Sequence, residues 1–309
     1  MLINETTTAS SPFKKPRVSS SVLQECGTRQ LQQSQAEGMQ TICFFNGDDK
    51  EEPFIRVTCD LNGRMWSRLY LFMTSVCGHF DIKDYDIKQK DTNEIIDIAF
   101  DSLLLPGMYT ITAKQSTSRQ ICVLDTYRES RIIPRQRQNS ESQVSTPRTS
   151  TFKSRVTLRD KGACVITGYT KRAQACHIVA KAHWNNQENL PQSIKRLFIS
   201  FPETINDVRN GLLLCPNLHG AFDDGDISIK YDSNANIYFV VAIDIAYQKL
   251  DGTLLWLPPP TSLPLPHPDL LDFHLALSVM KHMCAAAEYD EDDPYSDFDI
   301  PQVQRVEAY

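Results

Sequence analysis

Two histidines, an asparagine and an aspartate stand at spacings that can do chemistry. His177 sits in "AQACHIVA" (Ala173–Ala180). That segment is short, small and apolar around one imidazole. It suits a buried strand projecting its ring into a cleft, and for a lone histidine it equally suits a satisfied core residue. Asn210 comes 33 residues later, heading the strand-like run "GLLLC" (Gly211–Cys215), and His219 lies nine residues beyond it in "PNLHGAFD" (Pro216–Asp223). Pro216 fits the first turn of a helix. On that helix His219 and Asp223, four apart, share one face. An imidazole and a carboxylate converging in this way can bind one divalent cation. "DGDISI" then ends the helix at Gly225 and opens another strand. The order is a strand with His177, a strand after Asn210, and a helix with a metal-binding face.

The runs "CVITG" (Cys164–Gly168), "CHIV", "RNGLLLC" and "LHGAFDDGDISI", in this order and with the Asn-x8-His spacing, resemble the HNH endonuclease domain of the ββα-metal nucleases. The version they are most similar to is the divergent one met in many fungal proteins. The resemblance covers roughly residues 155–241 and says nothing about residues 40–127. It implies that His177 is the general base that activates water. It implies that Asn210 ties down the loop and orients that histidine, that His219 is the catalytic metal ligand, and that Asp223 is a second ligand or a brace. The implied reaction is hydrolysis of DNA phosphodiester bonds, on double-stranded DNA, with one divalent metal ion and no small-molecule cofactor. The residue types agree with that chemistry. Hydrolysis needs a deprotonated water in line with the leaving oxygen and a cation to take the growing negative charge. An imidazole with an ordinary pKa near ~6.5 serves as base around neutral pH. Mg2+ suits a carboxylate and waters, while an imidazole ligand also suits Mn2+, Ni2+ or Zn2+. The competing class is a catalytically silent nucleic-acid or protein-binding module that keeps the fold. Intact His177, Asn210, His219 and Asp223 argue against it, because binding alone does not need all four.

Two positions depart from the family pattern. Many relatives carry Asp, Glu or His just before the base histidine, where this chain has Cys176. A thiolate there would favour Zn2+ over Mg2+; the plainer expectation is a small buried thiol in a strand. Many HNH domains also carry two Cys-x2-Cys pairs. Here those places read Cys164-x2-Thr167 and Cys215-x2-Leu218, so a four-sulfur zinc site is excluded and the two cysteines are expected to pack in the core, near each other.

The charge pattern bears on the partner. The net charge is -6, but residues 128–172 hold 11 Lys/Arg against 3 Asp/Glu, while residues 288–309 hold 8 acidic groups against one Arg. A basic stretch leading into the nuclease-like unit fits a partner carrying phosphates. Arg209, Lys171, Arg172 and Lys181 flank the two motifs and are candidates for contacts to nucleic acid, against the alternative of a solvated charged face.

The elements that must position these residues give an α+β chain: a ββα-metal nuclease unit preceded by a small β-rich domain. Residues 1–39, rich in Ser, Thr and Gln, read as disordered. Residues 40–127 carry "TICFFN", "FIRVTCDL", "EIIDIAF" and "MYTITAK", short apolar or alternating runs cut by Asn/Gly and Pro/Gly turns, which predict strands. "MWSRLYLFMTSVCGHF" is ambiguous between helix and strand. His79 beside Cys77 is a ligand-type pair without further partners. Residues 128–154 read as a basic disordered linker and residues 155–283 as the nuclease-like domain. That domain closes on a helix with Leu271, Leu275, Val279 and Met283 at i, i+4 spacing, reached through the Pro-rich "WLPPPTSLPLPHP". On that helix His274 and His282 have no ligand-spaced partners. Residues 181–208 form an insertion in which Trp184 is expected to cover the core. Residues 284–309 read as an acidic disordered tail.

The nine cysteines are scattered and odd in number, no apolar leader is visible, and no run approaches 18 apolar residues. A nuclear or cytoplasmic setting with free or metal-bound thiols is expected, and no membrane partner. "FKKPR" (Phe13–Arg17) has the look of a nuclear-import signal or of a solvated basic patch. Oligomeric state is not legible.

Overall fold

The computed structural model describes residues 40–47, 53–60, 63–77, 80–99, 101–114, 147–185, 204–257 and 263–283. The expectations for residues 1–39, for "FKKPR", for His79, for most of the linker and insertion, and for the acidic tail lie outside them.

A mixed four-stranded sheet comes first. It is built from β1 (Gln40–Asn46), β2 (Ile55–Cys59), β4 (Tyr85–Gln89) and β6 (Gly107–Ala113), in the order β2-β1-β6-β4. The central pair β1 and β6 is parallel and both edges are antiparallel. A two-stranded ribbon, β3 (Arg64–Met65) with β5 (Leu103–Leu104), leads into α1 (Trp66–Val76), which settles the ambiguous run as helix. Its apolar face, Trp66, Leu69, Phe72, Met73 and Val76, is fully buried. Three of the four expected strand runs form as read. "EIIDIAF" does not: beyond one bridge from Ile95 to Lys88 it stays unpaired, with Ile96 and Ile98 laid against the core and Ile95 exposed.

The nuclease-like unit follows. Its helix α2 (Pro147–Arg159) starts inside the stretch that composition marks as linker. Phe152 and Val156, one turn apart, are buried there, and that apolar pair is what holds an otherwise polar helix to the protein. β7 (Gln174–His177) pairs antiparallel with β8 (Gly211–Leu214), placing His177 opposite Gly211. Helix α3 (Lys181–Asn185) follows β7, and α4 (Pro216–Asp223) follows β8 with Pro216 at its start. A hairpin of β9 (Ile227–Asp232) and β10 (Ile237–Ala242) succeeds α4, and α5 (Pro268–Met283) closes the described chain. The fold is α+β, as expected.

Helix α5 is wider in its burial than the i, i+4 stripe implies. Leu270, Leu271 and Phe273 join the core of the nuclease-like unit. Leu275, Ala276, Val279, Met280 and Met283 join the core of the N-terminal sheet and α1. Val241 and Ile243 belong to that second core as well. Arg64, almost wholly buried, donates to the carbonyls of Ala242 (3.0 Å) and Ile243 (3.1 Å), and Arg68 pairs with Asp251 at 2.6 Å. The two regions therefore share a helix and a core. No helix of the described residues is long and apolar enough to cross a membrane.

Candidate active site

His177 is the last residue of β7 and is half-buried. Its ring lies flat on Phe152 of α2, with centroids 4.1 Å apart and planes 2° from parallel. Its Nε2 is 3.2 Å from Asn206 Oδ1. With the amide oxygen facing the ring, Nε2 carries the proton and Nδ1 keeps its lone pair. Burial lowers the His177 pKa; the Asn206 hydrogen bond and the Asp223 carboxylate oppose that shift, and His219 adds to it. The imidazole is thus neutral at neutral pH, and His219 and Asp223 are close enough to act on it.

Asn210 is completely buried just before β8. Its Oδ1 accepts from Val179 N at 2.8 Å, and its Nδ2 donates to the carbonyls of Val179 (3.3 Å) and Ile205 (3.0 Å). All these bonds go to backbone, and Val179 is two residues past His177. The side chain therefore pins the turn that leaves β7. The main chain adds a further bond, from Ile178 N to Asn210 O at 3.0 Å.

His219 and Asp223 share a face of α4, with Nε2 and Oδ2 separated by 3.2 Å. His219 Nδ1 is 3.0 Å from Gln174 Oε1, on the exposed start of β7. With that amide oxygen against Nδ1, Nδ1 carries a proton and Nε2 faces the carboxylate, a contact that either a proton on Nε2 or a cation shared by the two donors satisfies. A cation bonded at about 2.1 Å to two donors would separate them by about 3.0 Å at a right angle and about 3.4 Å at the tetrahedral angle. The observed distance fits, so His219 and Asp223 are suited to hold a metal ion, with the other positions open to solvent.

Cys176 offers no thiolate to that pair. It is buried, and desolvation, helped by the Asp223 charge, pushes its thiol well above the ordinary range, so it stays protonated. Cys164 and Cys215 meet in the core: the Cys215 thiol donates to the Cys164 sulfur, and that bond together with burial pushes the Cys215 pKa far up. Thr167 donates to Cys164 too, and Leu218 is fully buried nearby. The four places of a zinc ribbon thus hold two thiols, a hydroxyl and an aliphatic side chain.

Several positioning residues carry no sequence signal of their own. Arg159, fully buried at the end of α2, donates to the carbonyls of Val208 (2.8 Å) and Gly211 (2.7 Å), on either side of Asn210. It also pairs with Asp160, whose carboxylate accepts from Leu213 N at 3.0 Å. His274 of α5 stacks on Phe222, donates through Nε2 to the Phe222 carbonyl at 3.0 Å, and accepts at Nδ1 from Ser228 Oγ at 2.8 Å. It holds the last turn of α4, which carries Asp223. Of the basic candidates, Lys171, Arg172 and Lys181 are exposed, whereas Arg209 is tied to Asp207 through Nε (3.0 Å) and Nη2 (3.2 Å). Trp184 packs partly buried against the core of the nuclease-like unit.

A second group of ligand-type side chains lies apart from these. Asp226, Asp244 and His282 bring their donor atoms within 4.8 Å of one another at the far end of α4. There His282 Nε2 and the Lys281 ammonium both reach the Asp224 carbonyl, so the group has a lysine charge beside it and joins the end of α5 to the end of α4.

Residues 164–230 match the family model described as HNH endonuclease. The match contains all four of His177, Asn210, His219 and Asp223 and leaves out α2, α5 and the N-terminal sheet. Comparison with curated proteins and with solved structures gives no match.

Proposed function

We propose that this HNH-type unit is a metal-dependent endonuclease that hydrolyses DNA phosphodiester bonds, with His177 as general base and one divalent cation at His219 and Asp223. The observation that carries the reading is His219 Nε2 standing 3.2 Å from the Asp223 carboxylate on one face of α4, a separation that one shared cation would span, with Nδ1 engaged by Gln174. That arrangement supports a bound cation in the place where a nuclease needs one. When bound, the ion supplies positive charge to the phosphate oxygens as negative charge develops on them. Mg2+ fits two protein donors completed by water, and Mn2+, Ni2+ and Zn2+ are compatible with the imidazole.

His177 takes the proton of the attacking water on Nδ1. Burial keeps the ring unprotonated and available at neutral pH. Asn210 holds the turn after β7, so the base cannot drift from the reacting centre. Exposed Lys171, Arg172 and Lys181 supply charge for the backbone of double-stranded DNA. Arg209, neutralised by Asp207, contributes less to that field than its sequence position implies.

The test is nicking of supercoiled plasmid by the full chain, since α5 is shared between both cores, with Mg2+, Mn2+, Ni2+ and Zn2+ in turn. His177→Ala is expected to slow nicking by roughly 10²–10⁴ while plasmid affinity hardly changes. Nicking by this variant at the wild-type rate would make His177 a packing residue. A wild-type chain inert with every metal would leave the silent binding module.

A further inference from the structure

The flat stack of Phe152 on His177 comes from a helix that the matched segment does not include. Three features hold that helix at the site. Phe152 and Val156 are buried against β8. Gly211, the residue opposite His177, leaves the space they occupy: a Cβ there would stand 2.6 Å from Val156 Cγ2 and 2.8 Å from Phe152 Cζ. Arg159 fastens the end of the helix to the carbonyls of Val208 and Gly211. At the edge of the same imidazole, Asn206 Oδ1 faces Nε2 at 3.2 Å.

We propose that Phe152 and Asn206 are positioning residues for His177, and that α2 is thereby a working part of the site. Phe152 fixes the plane of the ring, and Asn206 fixes its rotation and its tautomer. The inference rests on His177 being the base. An imidazole turns easily about χ2, where the torsional wells are broad. A ring face pressed on a phenyl at 4.1 Å can turn only by losing the stack. The Nε2–H bond to Asn206 then leaves Nδ1 as the lone pair aimed away from the protein's own acceptor. Without both partners the base would sample wrong tilts and the wrong tautomer. Substrate would still bind, because neither residue carries charge.

The test joins a spectroscopic and a kinetic readout on the full chain. Imidazole 15N spectra of the metal-free protein at pH 7.5 are expected to show His177 mainly as the Nε2–H tautomer. Asn206→Leu should bring it to a mixture of tautomers, and Asn206→Asp, which keeps an oxygen acceptor, should retain it. In plasmid nicking, Phe152→Leu and Asn206→Leu should each lower kcat by roughly 10- to 100-fold with little change in KM, the cost of misplacing a reacting group. Phe152→Tyr, which keeps the stack, should restore most of the rate. An unchanged tautomer in Asn206→Leu, or a Phe152→Leu rate equal to wild type, would overturn the proposal. So would a Phe152→Tyr variant that is folded and as slow as Phe152→Leu. If the wild-type chain cleaves no DNA, the nuclease reading fails by itself, and the 15N spectra still decide whether Asn206 sets the tautomer of His177.

Discussion

Replacing Asn210 by alanine removes a side chain that is completely buried and bonded only to backbone. Three groups lose their partner: the Val179 amide, the Val179 carbonyl and the Ile205 carbonyl. Val179 is itself fully buried, so water does not readily replace the lost bonds. An unsatisfied buried donor or acceptor costs roughly 1–3 kcal/mol, and the Ile205 carbonyl, nearer the surface, costs the least. The expected loss of stability is therefore about 3–5 kcal/mol, a large part of what a domain of this size has. Asn210→Asp keeps the shape and the acceptor for Val179 N, but turns a carboxylate oxygen toward two carbonyl oxygens. It should be no more stable at neutral pH than the alanine variant, and should recover part of the difference in acid, where the protonated carboxyl can donate. Urea unfolding followed by circular dichroism reads both. Because Val179 is two residues from His177, residual nicking by the folded fraction should also fall, by about 10²-fold if the base shifts by about 1 Å. Two variants as stable as wild type would refute the view that Asn210 acts as the clamp of this turn.

His219→Ala and Asp223→Ala should each weaken Mn2+ binding in calorimetric titration, and the double variant should do little more than the worse single one, because residues that hold one ion act as a unit. Undiminished binding by the double variant would move the ion elsewhere, with the Asp226, Asp244 and His282 group the first place to look. His274 gives a pH prediction. Burial pushes its pKa down to about 4, against an ordinary value near ~6.5, so the unfolded chain takes up a proton that the folded chain refuses. Its contribution is fully present above pH ~6.5 and is lost as pH falls toward 4, by about 3 kcal/mol at most. Urea unfolding at pH 7.5 and 4.5 should show this slope, and His274→Gln should flatten it; an equal slope in the variant would assign the acid sensitivity to other groups.

The order strand, strand, helix around His177, Asn210, His219 and Asp223 was legible in the residues. Helical and strand periodicities are local, and Pro216 and Gly225 mark the ends of α4. The pairing of His219 with Asp223 needed only the i, i+4 geometry of one helix. The same local logic found β1, β2 and β6, and misjudged "EIIDIAF", where Ile96 and Ile98 rest on the core and the backbone makes one bridge to β4, through Ile95 and Lys88, instead of a strand. What surrounds the site was not legible. Phe152 lies 25 positions before His177 in a polar segment, and only the open face of Gly211 shows that a ring belongs there. Asn206 and Gln174 are ordinary polar residues until folding sets each against one nitrogen of one histidine. Arg159 reads as one more charge in a basic stretch, yet it is buried and divided between two carbonyls and Asp160. Arg209, equally basic in sequence, is spent on Asp207. Helix α5 shows one apolar stripe to a periodicity argument, but it is buried against two cores, because the N-terminal sheet covers the side that a free-standing nuclease unit would leave wet. Short-range pattern fixed the elements and the candidate chemistry-bearing residues; which nitrogen holds a proton, which charge is neutralised and which helix backs His177 depend on contacts between residues far apart in the chain, and only the tertiary structure decides those.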